Sequence, residues 1–128
     1  VCYGAAGSYQ LSADASIEEM DAALSDGDAV TNKNVINLTG NRFNQLLGGN
    51  AANNSLSGLG GDDQLMGLQG NDTLSGGSGN DSLFGGLGND LAFGDIGTDF
   101  YLAFVGKSNY WVSPLGKHLM PDLVKIMP

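Results

Sequence analysis

The chain has 128 residues and a net charge of −9, from 14 acidic and 5 basic side chains, so it is at most one domain of ordinary size. So acidic a surface argues against nucleic acid as a partner, and Cys2, the only cysteine, excludes an internal disulfide or a cysteine-based metal site. No apolar run approaches the roughly 18 residues of a transmembrane helix; no cleavable signal peptide is visible, and the start at Val1 leads us to expect a preceding segment.

Residues 1–39 carry little regular pattern. A loose nine-residue unit, GAAGSYQLS, spans 4–12. Ser16 with Glu19 matches a helix capping box, and Ile17, Met20 and Leu24 would share one helical face. The alternative for 13–28 is a set of irregular strand rungs, and the pattern leaves both readings open. Over 29–39 rungs are expected, because NVINLTG (34–40) ends as a strand running into a turn. Asp14, Asp21, Asp26 and Asp28 read as surface charges. Asp26-Gly27-Asp28 lacks the ligand spacing and terminal Glu of an EF-hand.

Residues 40–102 divide into seven nine-residue units: GNRFNQLLG, GNAANNSLS, GLGGDDQLM, GLQGNDTLS, GGSGNDSLF, GGLGNDLAF and GDIGTDFYL. Aspartate holds the sixth place in the last five, as Asp63, Asp72, Asp81, Asp90 and Asp99; Gln45 and Asn54 stand there in the first two. Glycine at the first and fourth places is expected to supply the φ > 0 conformations of a tight turn. The last three places, such as Gln64-Leu65-Met66, suit a short strand whose middle side chain turns inward. Leu47, Leu56, Leu65, Leu74, Leu83, Ala92 and Tyr101 would form that inward column, with the small Ala92 loosening the last rungs. Two units then make one 18-residue turn of a coil, giving two parallel sheets with turns stacked along both edges. Only the ends of such a roll need covers.

No Lys or Arg occurs between Arg42 and Lys107, while 58–102 contain Asp62, Asp63, Asp72, Asp81, Asp90, Asp95 and Asp99. Asp62 reads as a surface charge. The others in register would stack as Asp63 with Asp81, Asp81 with Asp99, and Asp72 with Asp90. Stacked carboxylates repel unless cations lie between them. Calcium suits such a place, because it takes about six to eight oxygens and accepts the backbone carbonyls that glycine-rich turns expose. Three ions would set six positive charges against those seven acids. Zinc and copper find no soft cluster, with His118 the only histidine, and magnesium demands stricter octahedral geometry. The competing reading is a glycine-rich disordered linker with solvated aspartates, which is the expectation for the metal-free chain.

Residues 49–102 resemble the RTX, or haemolysin-type calcium-binding, nonapeptide repeat G-G-x-G-x-D-x-U-x. The resemblance implies an all-β, right-handed parallel β-roll (a β-solenoid), here with irregular N-terminal rungs over 1–39, the roll itself over 40–102 and a C-terminal cap over 103–128. It also implies a ligand set: carbonyls of the second and fourth places plus the Asp of one turn, and carbonyls of the first and third places plus the Asp of the turn 18 residues later. The first site would then use Leu59, Gly61 and Asp63 with Gly76, Ser78 and Asp81. The second would use Leu68, Gly70 and Asp72 with Gly85, Leu87 and Asp90. The third would use Gly77, Gly79 and Asp81 with Gly94, Ile96 and Asp99. Asn54 with Asp72 would give a fourth, weaker site, and Asp95 departs from the pattern by replacing a second-place glycine.

The period stops at residue 103. Phe104, Tyr110, Trp111 and three lysines mark the tail as an apolar cap over the last rung, and Pro114 and Pro121 disfavour a membrane-binding helix. Under the resemblance, the alternative for 103–128 is part of an uncleaved secretion signal. The expected function is a calcium-binding repeat module of a secreted bacterial protein, extracellular or at the cell surface, that folds on calcium outside the cell. The type I secretion apparatus and upstream parent domains are the implied partners. No H-E-x-x-H, G-x-S-x-G or G-x-G-x-x-G motif occurs, so the segment itself is expected to be non-catalytic. Two alternatives follow from where such repeats are found. One is the C-terminal fragment of a secreted protease, lipase, epimerase or toxin with its active domain upstream. The other is an adhesin or surface-binding element.

Overall fold

From the sixth place of one unit to the first place of the next, alternate residues are acidic, apolar and glycine: Asp63, Leu65, Gly67, then Asp72, Leu74, Gly76. All six are buried, and the residues between them are exposed or half-buried. A period of two is a strand's period, and it points one face of each strand inward. The computed structural model describes residues 7–17, 19–21, 34–102, 110–112 and 117–119, and among them every regular element is a strand.

The strands alternate between two parallel six-stranded sheets. One holds β1 (Gly7–Gln10), β3 (Ile36–Thr39), β5 (Ser55–Gly60), β7 (Thr73–Ser78), β9 (Leu91–Ile96) and β11 (Tyr110–Val112) in that order. The other holds β2 (Glu19–Asp21), β4 (Leu46–Gly48), β6 (Gln64–Gln69), β8 (Ser82–Leu87), β10 (Thr98–Leu102) and β12 (Lys117–Leu119). Each strand therefore pairs with the strand two places along the chain. The register steps by 18 residues: Leu56 lies opposite Leu74 and Leu74 opposite Ala92, while Leu47, Leu65, Leu83 and Tyr101 line up in the facing sheet. This is the parallel β-roll.

The expected inward column is the observed core. Leu47, Leu56, Leu65, Leu74, Leu83, Ala92 and Tyr101 are all buried and form one cluster, extended at the N-terminal end by Met20, Ile36 and Leu38. The last rungs do not loosen at Ala92. Tyr101 is fully buried within the same cluster, and its hydroxyl accepts a hydrogen bond from the Gly94 amide at 2.8 Å. A large side chain thus fills the interior beside the small one. The long strands are also longer than expected. β6 runs six residues, Gln64–Gln69, because pairing continues into the first three places of the following unit.

The two ends extend the coil. The helix considered for 13–28 is not formed where that region is described: Glu19–Asp21 is a strand that puts Met20 beside Leu47. Leu24, Asp26 and Asp28 lie outside the described residues. The rung expected before residue 40 is present as β3. The loose unit 4–12 is out of frame, because Tyr9, not Leu11, sits opposite Leu38. At the far end β11 pairs with β9 and β12 with β10, so Tyr110–Val112 and Lys117–Leu119 continue the two sheets as further parallel strands. Phe104, Pro114 and Pro121 lie outside the described residues.

Leu74 is central in the column. Leu74→Ala is expected to lower stability in saturating calcium by about 2–5 kcal/mol, read as a shift of the chemical denaturation midpoint. Leu59→Ala, at a half-exposed turn position, is expected to change it by less than about 0.5 kcal/mol.

Candidate metal centre

Each turn of 58–102 begins and ends at an inward position. The chain points inward for the last time at the first-place glycine, stays paired through the third place, crosses the edge, and points inward again at the sixth-place aspartate as it enters the opposite sheet. The two therefore face each other across the turn. A Cβ built on Gly58 would collide with Oδ2 of Asp63 and would stand 2.7 Å from the Gly76 carbonyl oxygen. Gly67 has the same relation to Asp72 and to the Gly85 carbonyl oxygen, at 2.6 Å. The first-place glycine is thus required for space. It was expected to supply a positive φ, but positive φ falls instead on the second and fourth places. Leu59, Leu68, Gly77, Gly86 and Asp95 carry it at the second, and Gly61, Gly70, Gly79, Gly88 and Gly97 at the fourth.

Burial of these carboxylates is nearly complete: Asp63, Asp72, Asp81, Asp90 and Asp99 expose 2%, 1%, 1%, 3% and 0% of their surface. Each Oδ1 accepts the backbone N–H of the residue 18 earlier, at 2.7–3.0 Å. These bonds run from Gln45, Asn54, Asp63, Asp72 and Asp81 and stitch successive rungs together. Oδ2 of Asp63, Asp72, Asp81 and Asp99 is buried without any hydrogen-bond partner. An orphaned buried oxygen is costly, and a charged one more so. Burial accordingly pushes the Asp63 and Asp72 carboxyls up to about 7 and Asp81 to about 6, opposed by the bond to the backbone N–H and reinforced by neighbouring aspartates.

The expected ligands converge in part. The Gly76 carbonyl and Asp63 Oδ2 crowd the same point beside Gly58, as the Gly85 carbonyl and Asp72 Oδ2 do beside Gly67. Each pair belongs to one expected site. The Leu59 and Gly61 carbonyls press on Gly77 and Gly79 of the next rung, and those of Leu68 and Gly70 on Gly86 and Gly88. The Leu87 and Ile96 carbonyls each accept an amide, from Gly70 at 3.0 Å and Gly79 at 2.9 Å, which leaves one lone pair apiece. Ser78 pairs with Gly60 across the sheet, and Gly94 stands against Asp99 and the Tyr101 hydroxyl. Among the described residues no three His, Cys, Asp or Glu side chains cluster. The cradle is therefore two carboxylates and a wall of carbonyls. That donor set suits a hard cation tolerant of carbonyl oxygen, as calcium is, and gives zinc nothing soft to hold.

Two features escaped the sequence reading. The fifth place forms an outer ladder, in which Asn44, Asp62 and Asn80 accept the backbone N–H of Asp62, Asn80 and Thr98 on one edge. Asn53 and Asn71 do the same for Asn71 and Asn89 on the other. Asp62 is exposed as expected, yet it is also a rung of this ladder. The second feature is that Asn54 and Gln45 are buried with both the oxygen and the nitrogen of their amides hydrogen-bonded, together with Asn50 and Asn41 at the second place. The signal was present as the missing fourth-place glycine in both units, where Phe43 and Ala52 stand.

The family model of the RTX calcium-binding nonapeptide repeat (4 copies) matches residues 39–74 and again 67–101. No curated protein and no solved structure matches the chain.

Two outcomes are expected here. In the metal-free protein, the raised folded-state carboxyls of Asp63, Asp72 and Asp81 favour folding while they are protonated. That stability is fully present below the ordinary value of 3.8 and is lost as pH rises through about 6 to 7. The chelated protein should therefore show more β-structure at pH 4.5 than at pH 8, a contrast that saturating calcium removes. Gly67→Ala should weaken the calcium response, costing roughly 1–3 kcal/mol by overpacking, whereas Gly60→Ala meets only the flexible Ser78 hydroxyl at 3.2 Å and should leave the calcium midpoint unchanged.

Proposed function

The chain belongs, through residues 39–101, to the RTX calcium-binding nonapeptide repeat family, and we propose that its calcium sites make folding of the roll conditional on the calcium of the extracellular space. The observation that carries this reading is the set of buried Oδ2 atoms of Asp63, Asp72 and Asp81 with no hydrogen-bond partner. A roll that buries such atoms is unfavourable by itself and favourable with cations. Three ions are assigned, between Asp63 and Asp81, Asp72 and Asp90, and Asp81 and Asp99, with the carbonyls of the ligand sets named above.

The magnitudes are sufficient for a switch. Extracellular calcium modules have dissociation constants of about 10⁻⁴ to 10⁻³ M. At roughly 1 mM calcium and a constant of about 0.1 mM, each site contributes about 1.4 kcal/mol. Three sites contribute about 4 kcal/mol, comparable with the whole stability of a marginal domain. At sub-micromolar calcium the contribution vanishes. Residues 58–102 are then extended inside the cell and rigid outside, which suits export through a narrow channel. Secretion from a bacterium follows as part of the same proposal, with a folding and structural role for this segment and no catalysis by its own residues.

A calcium titration followed by far-UV circular dichroism tests this reading. Calcium, and not magnesium, should convert much of the chain from coil to β-structure; equal β-content in excess EGTA would overturn the switch. Asp81 is shared by two assigned sites. Asp81→Ala is expected to cost about 2.8 kcal/mol of calcium-dependent stability and Asp63→Ala about 1.4 kcal/mol, read as shifts of the calcium midpoint.

A further inference from the structure

The seven units contain two kinds of turn. In 58–102 the second and fourth places are left-handed, and the sixth-place carboxylate oxygen Oδ2 has no hydrogen-bond partner at Asp63, Asp72 and Asp81. In 40–57 neither place is left-handed: Asn41, Phe43, Asn50 and Ala52 are absent from the positive-φ residues. The second-place N–H then turns into the roll and meets the sixth-place side chain. Asn50 N–H donates to Asn54 Oδ1 at 2.9 Å, and Asn41 N–H donates to Gln45 Oε1 at 3.0 Å.

The nitrogen ends of these amides are bound as well. Asn54 Nδ2 donates to the Ile36 carbonyl at 2.8 Å, 18 residues back along the chain. Gln45 Nε2 donates to Asn41 Oδ1. The second-place amides reach further toward the N-terminus, Asn50 Nδ2 to the Asn34 carbonyl and Asn41 Nδ2 to the carbonyls of Ser12 and Ala15, all at 2.8 Å. One partner of Asn54 is a donor and the other an acceptor, so its oxygen and nitrogen can be placed only one way. A carboxylate there would set an oxygen against the Ile36 carbonyl. An amide does not.

We propose that the two amide-bearing turns of residues 40–57, with the strand before them, hold together without calcium and serve as a metal-independent end from which the calcium-bearing rungs grow. Neutral N–H groups do in these turns what cations do in the others: they stand between oxygens of successive rungs. Asn54 is therefore not a calcium ligand, and no fourth site forms between Asn54 and Asp72. This inference rests on the calcium reading for 58–102 and adds that 36–57 differs from it in kind.

Amide hydrogen exchange on the full chain, read by NMR with and without calcium, separates the two. In excess EGTA at pH 8, the backbone amides of Asn41, Phe43, Asn50 and Ala52 should exchange at least about tenfold more slowly than those of Asp63, Asp72 and Asp81. In saturating calcium the gap should close. Amides of 40–57 exchanging as fast as those of 58–102 in EGTA, or both sets equally protected there, overturns the inference. If 58–102 gains no protection with calcium, the calcium reading fails instead, and the EGTA comparison still decides this one. Asn54→Asp supplies a second test. It should abolish the EGTA protection of 40–57 while calcium restores it, with one more calcium bound per chain; unchanged protection in EGTA would show that the Asn54 amide is not what holds the turn.

Discussion

A carboxylate oxygen buried with no hydrogen-bond partner is the constraint on which the rest of this roll depends. Asp63 Oδ2 and the Gly76 carbonyl oxygen both line the space a side chain on Gly58 would fill, and Asp72 Oδ2 and the Gly85 carbonyl oxygen line the same space at Gly67. Two electron-rich atoms gain nothing from each other in a poorly solvated place. The arrangement is stable only when something positive stands between them, whether a proton, an amide hydrogen or a metal ion. Several otherwise separate features follow from that one requirement. Glycine must occupy the first place because the carboxylate takes the room a side chain would need. The absence of Lys and Arg over 43–106 leaves no cationic side chain within the repeats to compete with an added cation.

The chain meets the requirement differently along its length. In the first two units, amides of Asn and Gln supply both donor and acceptor, and the buried side chains of Asn41, Gln45, Asn50 and Asn54 all have hydrogen-bond partners. In the last five, acceptors face acceptors. The Oδ1 bonds and the outer asparagine ladder fix the rungs at equal spacing on either solution. The spacing is therefore set by hydrogen bonds from backbone N–H groups to side-chain oxygens, and the buried oxygen left over on each aspartate is dealt with separately inside a frame that already has its dimensions.

Much of this was legible in the sequence because the repeat has a period of nine and a strand has a period of two. The inward column from Leu47 to Tyr101 and the stacking of Asp63 on Asp81 follow from counting, and both are observed. Which glycine does which job was not legible. Letters alone do not separate a glycine kept for its φ from one kept for its missing side chain, and Leu59, Leu68 and Asp95 show that the left-handed second place tolerates other residues. The flanks were obscured for another reason. Ser16, Ile17 and Glu19 satisfy the local rules for a helix, but Met20 has an open position beside Leu47 at the end of a sheet, and tertiary pairing overrides local preference. Asn54 and Asp72 differ by one atom type in side chains of the same shape, and only the Asn50 N–H on one side and the Ile36 carbonyl on the other reveal what that difference does.

The step of 18 residues between paired strands from β3 to β10 has a consequence for how such a molecule comes together. In most sheets, later pairings join segments ever farther apart in sequence, and the loop that must be closed grows with them. Here every long strand from β5 to β9 closes on a neighbour the same distance away. The entropy of closing a loop of that length is about 2.6 kcal/mol plus a constant, and it is the same for each of these rungs. Length is therefore nearly free of topological penalty. A roll of this kind is limited by the supply of repeats and of whatever neutralises them, and not by the difficulty of bringing distant parts of the chain together.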